Sequence, residues 1–166
     1  GLWTYYYENS NESKRSEGSF KNGDEPNQEY EIPEKSRDGL WTFWYENGQK
    51  EEEKTYKDEK LNGLYTRWIE NGQKEEEKTY KDGKINGLYN RWLAKGQKNG
   101  EEAFIECDGS DLGDTNVPKN GRDGSWTFWY ENGQKKYEEF YKDGKNDGLY
   151  TKWYENGQKD GEGTFK

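Results

Sequence analysis

Between Gly39 and Asn62 the chain alternates with a period of two, the spacing that sends successive side chains to opposite faces of a strand. Leu40, Thr42 and Trp44 fall on one side, and Trp41, Phe43 and Tyr45 on the other. The segment "LWTFWYE" is rich in the aromatic and β-branched residues that suit a pleated surface. It is followed by Asn47-Gly48, a strong short-range hairpin signal that predicts a type I′ turn with φ > 0 at both residues. "QKEEEKTYK" then returns as a second strand, and "KDGK" at Lys81–Lys84 and Lys142–Lys145 supplies a second tight turn. No stretch sustains a helical period. The pattern predicts two strands and two turns per unit, joined into an uninterrupted antiparallel meander.

The unit recurs. Equivalent starts lie at Gly1, Gly39, Gly63, Gly87, Gly124 and Gly148, and three of the intervals are 24 residues. The two longer intervals carry insertions near residues 24–37 and 110–122, which end alike, in "IPEKSRDG" and "VPKNGRDG". The decapeptide "WTFWYENGQK" follows both, at Trp41–Lys50 and again at Trp126–Lys135. A duplicated three-unit block of 85 residues explains that identity. The alternative is coincidence between two linkers. The expected architecture is all-β: one domain over residues 1–166, an elongated single-layer antiparallel meander of six stacked β-hairpins and about twelve strands.

The units differ in which face they hold constant. Trp44 is matched by Trp68, Trp92, Trp129 and Trp153, with Tyr6 in the first unit, and Leu40 is matched by Leu2, Leu64, Leu88 and Leu149. In a repeat array, positions kept in every unit are expected to hold the stack, and positions that vary are left for partners. Trp68 and Trp92 are therefore expected to be more buried than Trp41 and Trp126, with Glu and Lys stems covering the indoles. An aromatic also recurs in the second strand, at Phe20, Tyr56, Tyr80, Phe104, Tyr141 and Phe165. On the varying face Phe43 becomes Arg67, Arg91, Phe128 and Lys152, and Trp41 becomes Tyr65, Tyr89, Trp126 and Tyr150. This makes Trp41, Phe43 and Tyr45, with their duplicates Trp126, Phe128 and Tyr130, the candidate partner-binding residues, one docking site per block. The plainer reading is that these rings only cover the sheet.

Composition narrows the function. The chain is 27% hydrophobic and 37% charged, which argues against a thick two-layer core, yet it is 17% aromatic, which argues against disorder. Large rings let a thin fold bury enough area. A net charge of -9 speaks against nucleic-acid binding, which needs a Lys/Arg surface, and weakens the case for anionic membranes. It leaves basic proteins as partners. No apolar run is long enough to span a bilayer, and no signal-peptide pattern is present. The opening "GLWTYYYENS" starts within the repeat, as a processed or partial chain would.

Little in the sequence points to chemistry. There is no histidine, which removes the commonest general base and metal ligand. Cys107 has no histidine partner and reads as a free thiol in a loop. Glu51, Glu53, Glu75 and Glu77 repeat with the unit and read as solvated strand residues. Asp108, Ser110, Asp111 and Asp114 crowd the second insertion, but their spacing does not match a calcium-binding EF-hand loop. The expectation is no enzyme, no cofactor and no metal.

A unit reading "DGLWTFWYENGQKEEEKTYK" resembles the MORN repeat, in its bacterial variant form. The resemblance rests on the Gly-Leu-aromatic start, on "WYENGQK" at Trp44–Lys50 and Trp153–Lys159, and on "TYKDGK" at Thr79–Lys84. It covers nearly all of the chain outside the insertions. Lys54 and Lys78 depart from it, standing where the family often has the glycine kept at Gly18 and Gly163, and "AKGQK" at Ala94–Lys98 is a degraded turn. The resemblance implies a single sheet of stacked hairpins. It further implies a toxin-neutralising role like that of YwqK-type bacterial antitoxins, which would place the chain in the bacterial cytoplasm with a toxin as protein partner. Scaffolding is a role of MORN repeats elsewhere, and lipid binding has been proposed for them. The rival readings are a structural spacer or oligomerising array without a dedicated client and, more remotely, a glycan hydrolase suggested by aromatics beside carboxylates.

Overall fold

A computed structural model describes residues 1–8, 13–21, 36–108 and 120–166. Most of each insertion lies outside the described residues, Ser110, Asp111 and Asp114 included. The strands are β1 (Leu2–Tyr6), β2 (Lys14–Phe20), β3 (Arg37–Trp44), β4 (Lys50–Lys57), β5 (Lys60–Trp68), β6 (Lys74–Lys81) and β7 (Lys84–Trp92). They continue as β8 (Lys98–Cys107), β9 (Arg122–Trp129), β10 (Lys135–Lys142), β11 (Lys145–Asn146), β12 (Gly148–Trp153) and β13 (Lys159–Phe165). All belong to one open 13-stranded sheet in chain order, with the two-residue β11 branching off β10. Every pairing is antiparallel. The all-β meander is thus as the alternation predicts.

The two kinds of turn have exchanged roles. At the Asn-Gly turns only the glycine is left-handed, with φ of 81°, 82°, 82° and 79° at Gly48, Gly72, Gly133 and Gly157. The loop closes with Gly48 N–H donating to Tyr45 O at 2.9 Å, Tyr45 N–H donating to Gln49 O at 2.9 Å, and Asn47 Oδ1 accepting from Gln49 N–H at 2.9 Å. This is a type I turn finished by a left-handed glycine, not the expected type I′. Asparagine serves here as a side-chain acceptor.

The double positive φ of type I′ occurs at the other set of turns. Asp82-Gly83 has φ of 52° and 85°, Asp143-Gly144 has 51° and 77°, and Asp58-Glu59 has 50° and 67°. Glu59 therefore holds with a side chain a conformation that its counterparts give to glycine. Glu59→Gly should raise stability by about 1 kcal/mol, the size of the left-handed penalty less the added chain entropy of glycine. A thermal melt checks this, and an unchanged or lower midpoint would count against it.

The core lies on the face opposite to the one expected. Trp41 and Trp126 are 0% and 1% exposed, the two largest fully buried side chains, whereas Trp44, Trp68 and Trp92 are only partly buried. The constant leucines, Leu40, Leu64, Leu88 and Leu149, are 48–55% exposed. The aromatic face of Trp41 is thus the covered one and the leucine face the open one. Neighbour size is the reason. Across the sheet Leu40 and Leu64 oppose Thr55 and Thr79, and Leu88 opposes Ala103. Side chains that short cannot close over a leucine in a single layer.

Candidate functional site

Each decapeptide carries the same buried cage. Around Trp41, the Phe20 ring stands edge-on with centroids 5.0 Å apart at 66°, and the Arg37 guanidinium lies 5.0 Å above the indole. Trp41 Nε1–H donates to Ser19 O at 2.9 Å, and Arg37 Nη1–H donates to Tyr56 Oη at 3.1 Å. Around Trp126, Phe104 stands edge-on at 5.0 Å and 63°, and Arg122 lies 4.5 Å above the ring. Trp126 Nε1–H donates to Ala103 O at 3.0 Å, and Arg122 Nη1–H to Tyr141 Oη at 2.9 Å. The verbatim repeat thus preserves a packing unit, in which the arginine of each "RDG" is a member that the strand pattern alone did not single out.

The six candidate partner-binding residues all lie in or beside these cages. Trp41 and Trp126 are enclosed and offer no surface. Phe43 and Phe128 are partly buried against them. Tyr45 and Tyr130 tie successive units together, their hydroxyls donating to Trp68 O at 2.8 Å and Trp153 O at 2.9 Å. As the structure stands, the six residues are held by the sheet's own packing.

Between the two cages the aromatic face carries a ladder of alternating charge. Glu52 opposes Arg67, Arg67 opposes Glu76, and Glu76 opposes Arg91. Arg91 reaches Glu102 Oε1 at 2.6 Å. Lys54 and Lys78, the departures from the family glycine, pair with Glu52 and Glu76 at 2.5 and 3.0 Å. Their ammonium groups lie over aromatic rings, Lys54 above Phe43 and Tyr65, and Lys78 above Tyr65 and Tyr89. On the strand before Tyr65 and Tyr89 this position is Lys54 and Lys78, before Trp126 it is Glu102, and before Trp41 it is Gly18. Arg67 and Arg91 face a carboxylate on the preceding strand, Glu52 and Glu76, where Phe43 and Phe128 face Ser16 and Gly100.

Glu102 is the exception in this ladder. It is fully buried, and its Oε2 has no hydrogen-bond partner among the described residues. Burial pushes its carboxyl up to about 6 against the pull of Arg91. Because the folded-state value lies above the ordinary one, the contribution of Glu102 to stability is largest at low pH and falls as pH rises through about 6. Relative to a Glu102→Gln variant, the native chain should lose on the order of 2 kcal/mol between pH 4 and 7. Paired urea titrations at the two pH values check this, and a pH-independent difference between the two proteins would refute it.

The leucine face is built differently. A lysine of one unit covers the tryptophan of the next: Lys14 lies 5.7 Å from the Trp44 ring, Lys50 5.7 Å from Trp68, Lys74 5.5 Å from Trp92, Lys98 5.7 Å from Trp129 and Lys135 5.6 Å from Trp153. The same lysines pair with the glutamate three residues on, Lys50 with Glu53 at 2.5 Å and Lys74 with Glu77 at 2.5 Å among them. The expected covering of indoles by charged stems is present on this face. Trp44, Gly48, Gln49, Lys50, Trp68 and Gly72 line a shallow groove between two units. Along the strands from that groove stand Leu2, Leu40, Leu64, Leu88 and Leu149, 48–68% exposed. The constancy of these leucines is therefore not explained by burial.

The remaining candidates are placed as follows. Glu53 and Glu77 are ion-paired as above, and Glu75 pairs with Arg67 at 3.1 Å. Cys107 ends β8, buried, with its Sγ–H directed at Asn120 Oδ1 at 2.9 Å, so it is not an open loop thiol. Asp108 Oδ1 accepts from Asn120 Nδ2 at 2.7 Å.

The MORN repeat variant family matches the chain at residues 37–58, 61–82, 122–143 and 146–166, together just over half of its length. These are the four short units. The two long ones, starting at Gly1 and Gly87, fall outside the matches. Comparison with curated proteins finds no match.

Proposed function

The chain belongs to the MORN repeat variant family, a family of non-enzymatic repeat modules for binding, and from that premise we propose that it binds a protein partner through its leucine face, with neutralisation of a toxin as the most specific form of that role. The observation that carries this reading is the row of half-exposed leucines at one register position. Strands are ~4.8 Å apart, so leucines two strands apart stand roughly 10 Å from one another. Large apolar side chains held in the open at regular intervals mark an interaction surface. The acidic balance, 35 acidic against 26 basic residues, favours a partner whose contact surface is basic around apolar positions and speeds its encounter.

The antitoxin role rests on resemblance to the repeat alone, and a repeat is a scaffold on which different functions are built. The test has two parts. Affinity capture from the native cells identifies the partner, and co-expression then shows whether the chain relieves growth arrest caused by that partner. The paired change Leu64→Asp and Leu88→Asp should weaken binding by about 2 kcal/mol or more, in the range of interface hot spots, with an unchanged circular dichroism spectrum. Undiminished affinity would move the surface elsewhere, and growth arrest that persists would remove the toxin.

A further inference from the structure

The leucine row keeps one large and one small side chain in each hairpin. Leu40, Leu64 and Leu88 oppose Thr55, Thr79 and Ala103 across the sheet. In the hairpin of β9 and β10 the sizes change places: Ser125 stands at the leucine position, and its partner is Phe140. Phe140 is itself 38% exposed, so the exchange returns a large apolar group to the row without burying it. Packing within the sheet gains little from a ring left in the open. The row reads instead as a surface that keeps its apolar groups for something laid over it.

The charged rows on either side limit what can lie there. Two residues along the strand from Thr55 and Thr79 stand Glu53 and Glu77 on one flank, and Lys57 and Lys81 on the other. Alternation puts all of them on the leucine face. The glutamates are held by Lys50 and Lys74, and Lys57 and Lys81 are exposed. At ~3.3 Å per residue the flanks are roughly 13 Å apart. The apolar lane between them is one α-helix wide, about 10–12 Å. A second sheet laid on this face would have to bury both charged rows. The spacing along the lane also suits a helix. Large groups recur every second strand, roughly 10 Å apart, with a small one ~4.8 Å from each. Seven helical residues rise ~10.5 Å, and residues three or four apart are offset by ~5 Å. A heptad seam can therefore set a small residue over each leucine and a larger one into each gap. The excess of ~0.9 Å per heptad keeps the seam in step over about three hairpins. An extended chain repeats on one face every ~6.6 Å and loses step at once. A polyproline helix repeats every ~9.3 Å but turns one side chain per turn to the sheet, which leaves the Thr and Ala gaps empty.

We propose that the leucine row seats an amphipathic α-helix of the protein partner, about three heptads long, which lies across the strands with basic residues toward Glu53 and Glu77 and acidic residues toward Lys57 and Lys81. This rests on the reading of the leucine face as the partner-binding surface and names what that surface holds. The opposite signs of the two flanks fix the direction of the helix, because turning it end for end sets like charges against like.

Three display pools of peptides about 21 residues long, three heptads, supply the probe: one patterned as apolar heptads, one as alternating strands and one with proline at every third residue. Each is selected on the immobilised 166-residue chain. The heptad pool should yield the binders, and the best of them should gain helical circular dichroism when bound. Leu64→Asp with Leu88→Asp should weaken it about thirtyfold or more. Thr79→Phe separates a fitted seam from mere stickiness. It adds apolar area but fills a gap, and Phe140 shows that the position accepts a ring. It should leave the melting curve intact and weaken the peptide about tenfold or more. Lys57→Glu with Lys81→Glu should shift the preference to a peptide that is basic on both sides. Binders drawn only from another pool, a heptad pool that yields none, or an affinity unchanged or raised by Thr79→Phe overturns the proposal. If the native partner is lost from the Leu64→Asp and Leu88→Asp chain while the heptad pool yields nothing, the leucine face stands as the binding surface and the helix falls.

Discussion

Trp126→Ala should lower stability by about 3–5 kcal/mol, the range for removing a large buried ring, and Trp68→Ala should cost less than half as much. The two residues are the same type on the first strands of two short hairpin units, so the difference isolates the face. Trp126 loses an edge-on contact to Phe104, a tilted contact to Tyr141 at 5.1 Å and the Arg122 guanidinium above it. Its removal also leaves Ala103 O without the indole donor and a cavity that a sheet one layer thick has no second layer to fill. Trp68 loses chiefly the cover of Lys50, a partly exposed cation–π contact of about 0.5–1 kcal/mol, together with its partial burial. Urea titrations followed by circular dichroism separate the two outcomes. Equal losses, or a larger loss at Trp68, would mean that the leucine face carries the core after all.

The meander was legible because it is written in local signals. Alternation with period two, turn residues at regular spacing and the absence of a helical period specify strands and their order without reference to tertiary contacts. The face that carries the core was not legible by the rule applied, that positions constant across units hold the stack. In a single-layer sheet both faces lie one side chain from solvent, so burial depends on what stands across the ladder and not on how often a residue recurs. Leu40 recurs but faces Thr55. Trp41 alternates with Tyr but is enclosed by Phe20, Arg37 and Tyr56. The signal that could have shown this was present in the strand partners: glycine, phenylalanine and the "RDG" arginine all accompany Trp41. The turn types were misjudged for a similar reason. Asn-Gly is a hairpin signal, but Asn47 is used as an acceptor for Gln49 N–H, and the two-residue turns fell to Asp-Gly and Asp-Glu.

Gly18→Ala and Gly163→Ala should then differ sharply although they alter the same position of nearly identical strands. At Gly18 the new methyl would lie 2.1 Å from Cδ2 and 2.3 Å from Cε2 of a Trp41 ring that is fully buried. That ring cannot swing away without breaking its hydrogen bond to Ser19 O and its contacts with Phe20 and Arg37. The strand cannot yield cheaply either, because it is paired to β1 on one side and β3 on the other. Overpacking of this kind costs typically 1–3 kcal/mol, and a rigid ring against backbone belongs at the upper end, so about 3 kcal/mol is expected. At Gly163 the methyl enters open space, and a strand glycine replaced by alanine gains roughly 0.5 kcal/mol or more through reduced chain entropy. Thermal melts of the two variants should therefore move in opposite directions. A Gly18→Ala protein as stable as the wild type would show that Trp41 is not seated on the glycine, and the packing of the first cage would have to rest on Phe20 and Arg37 alone.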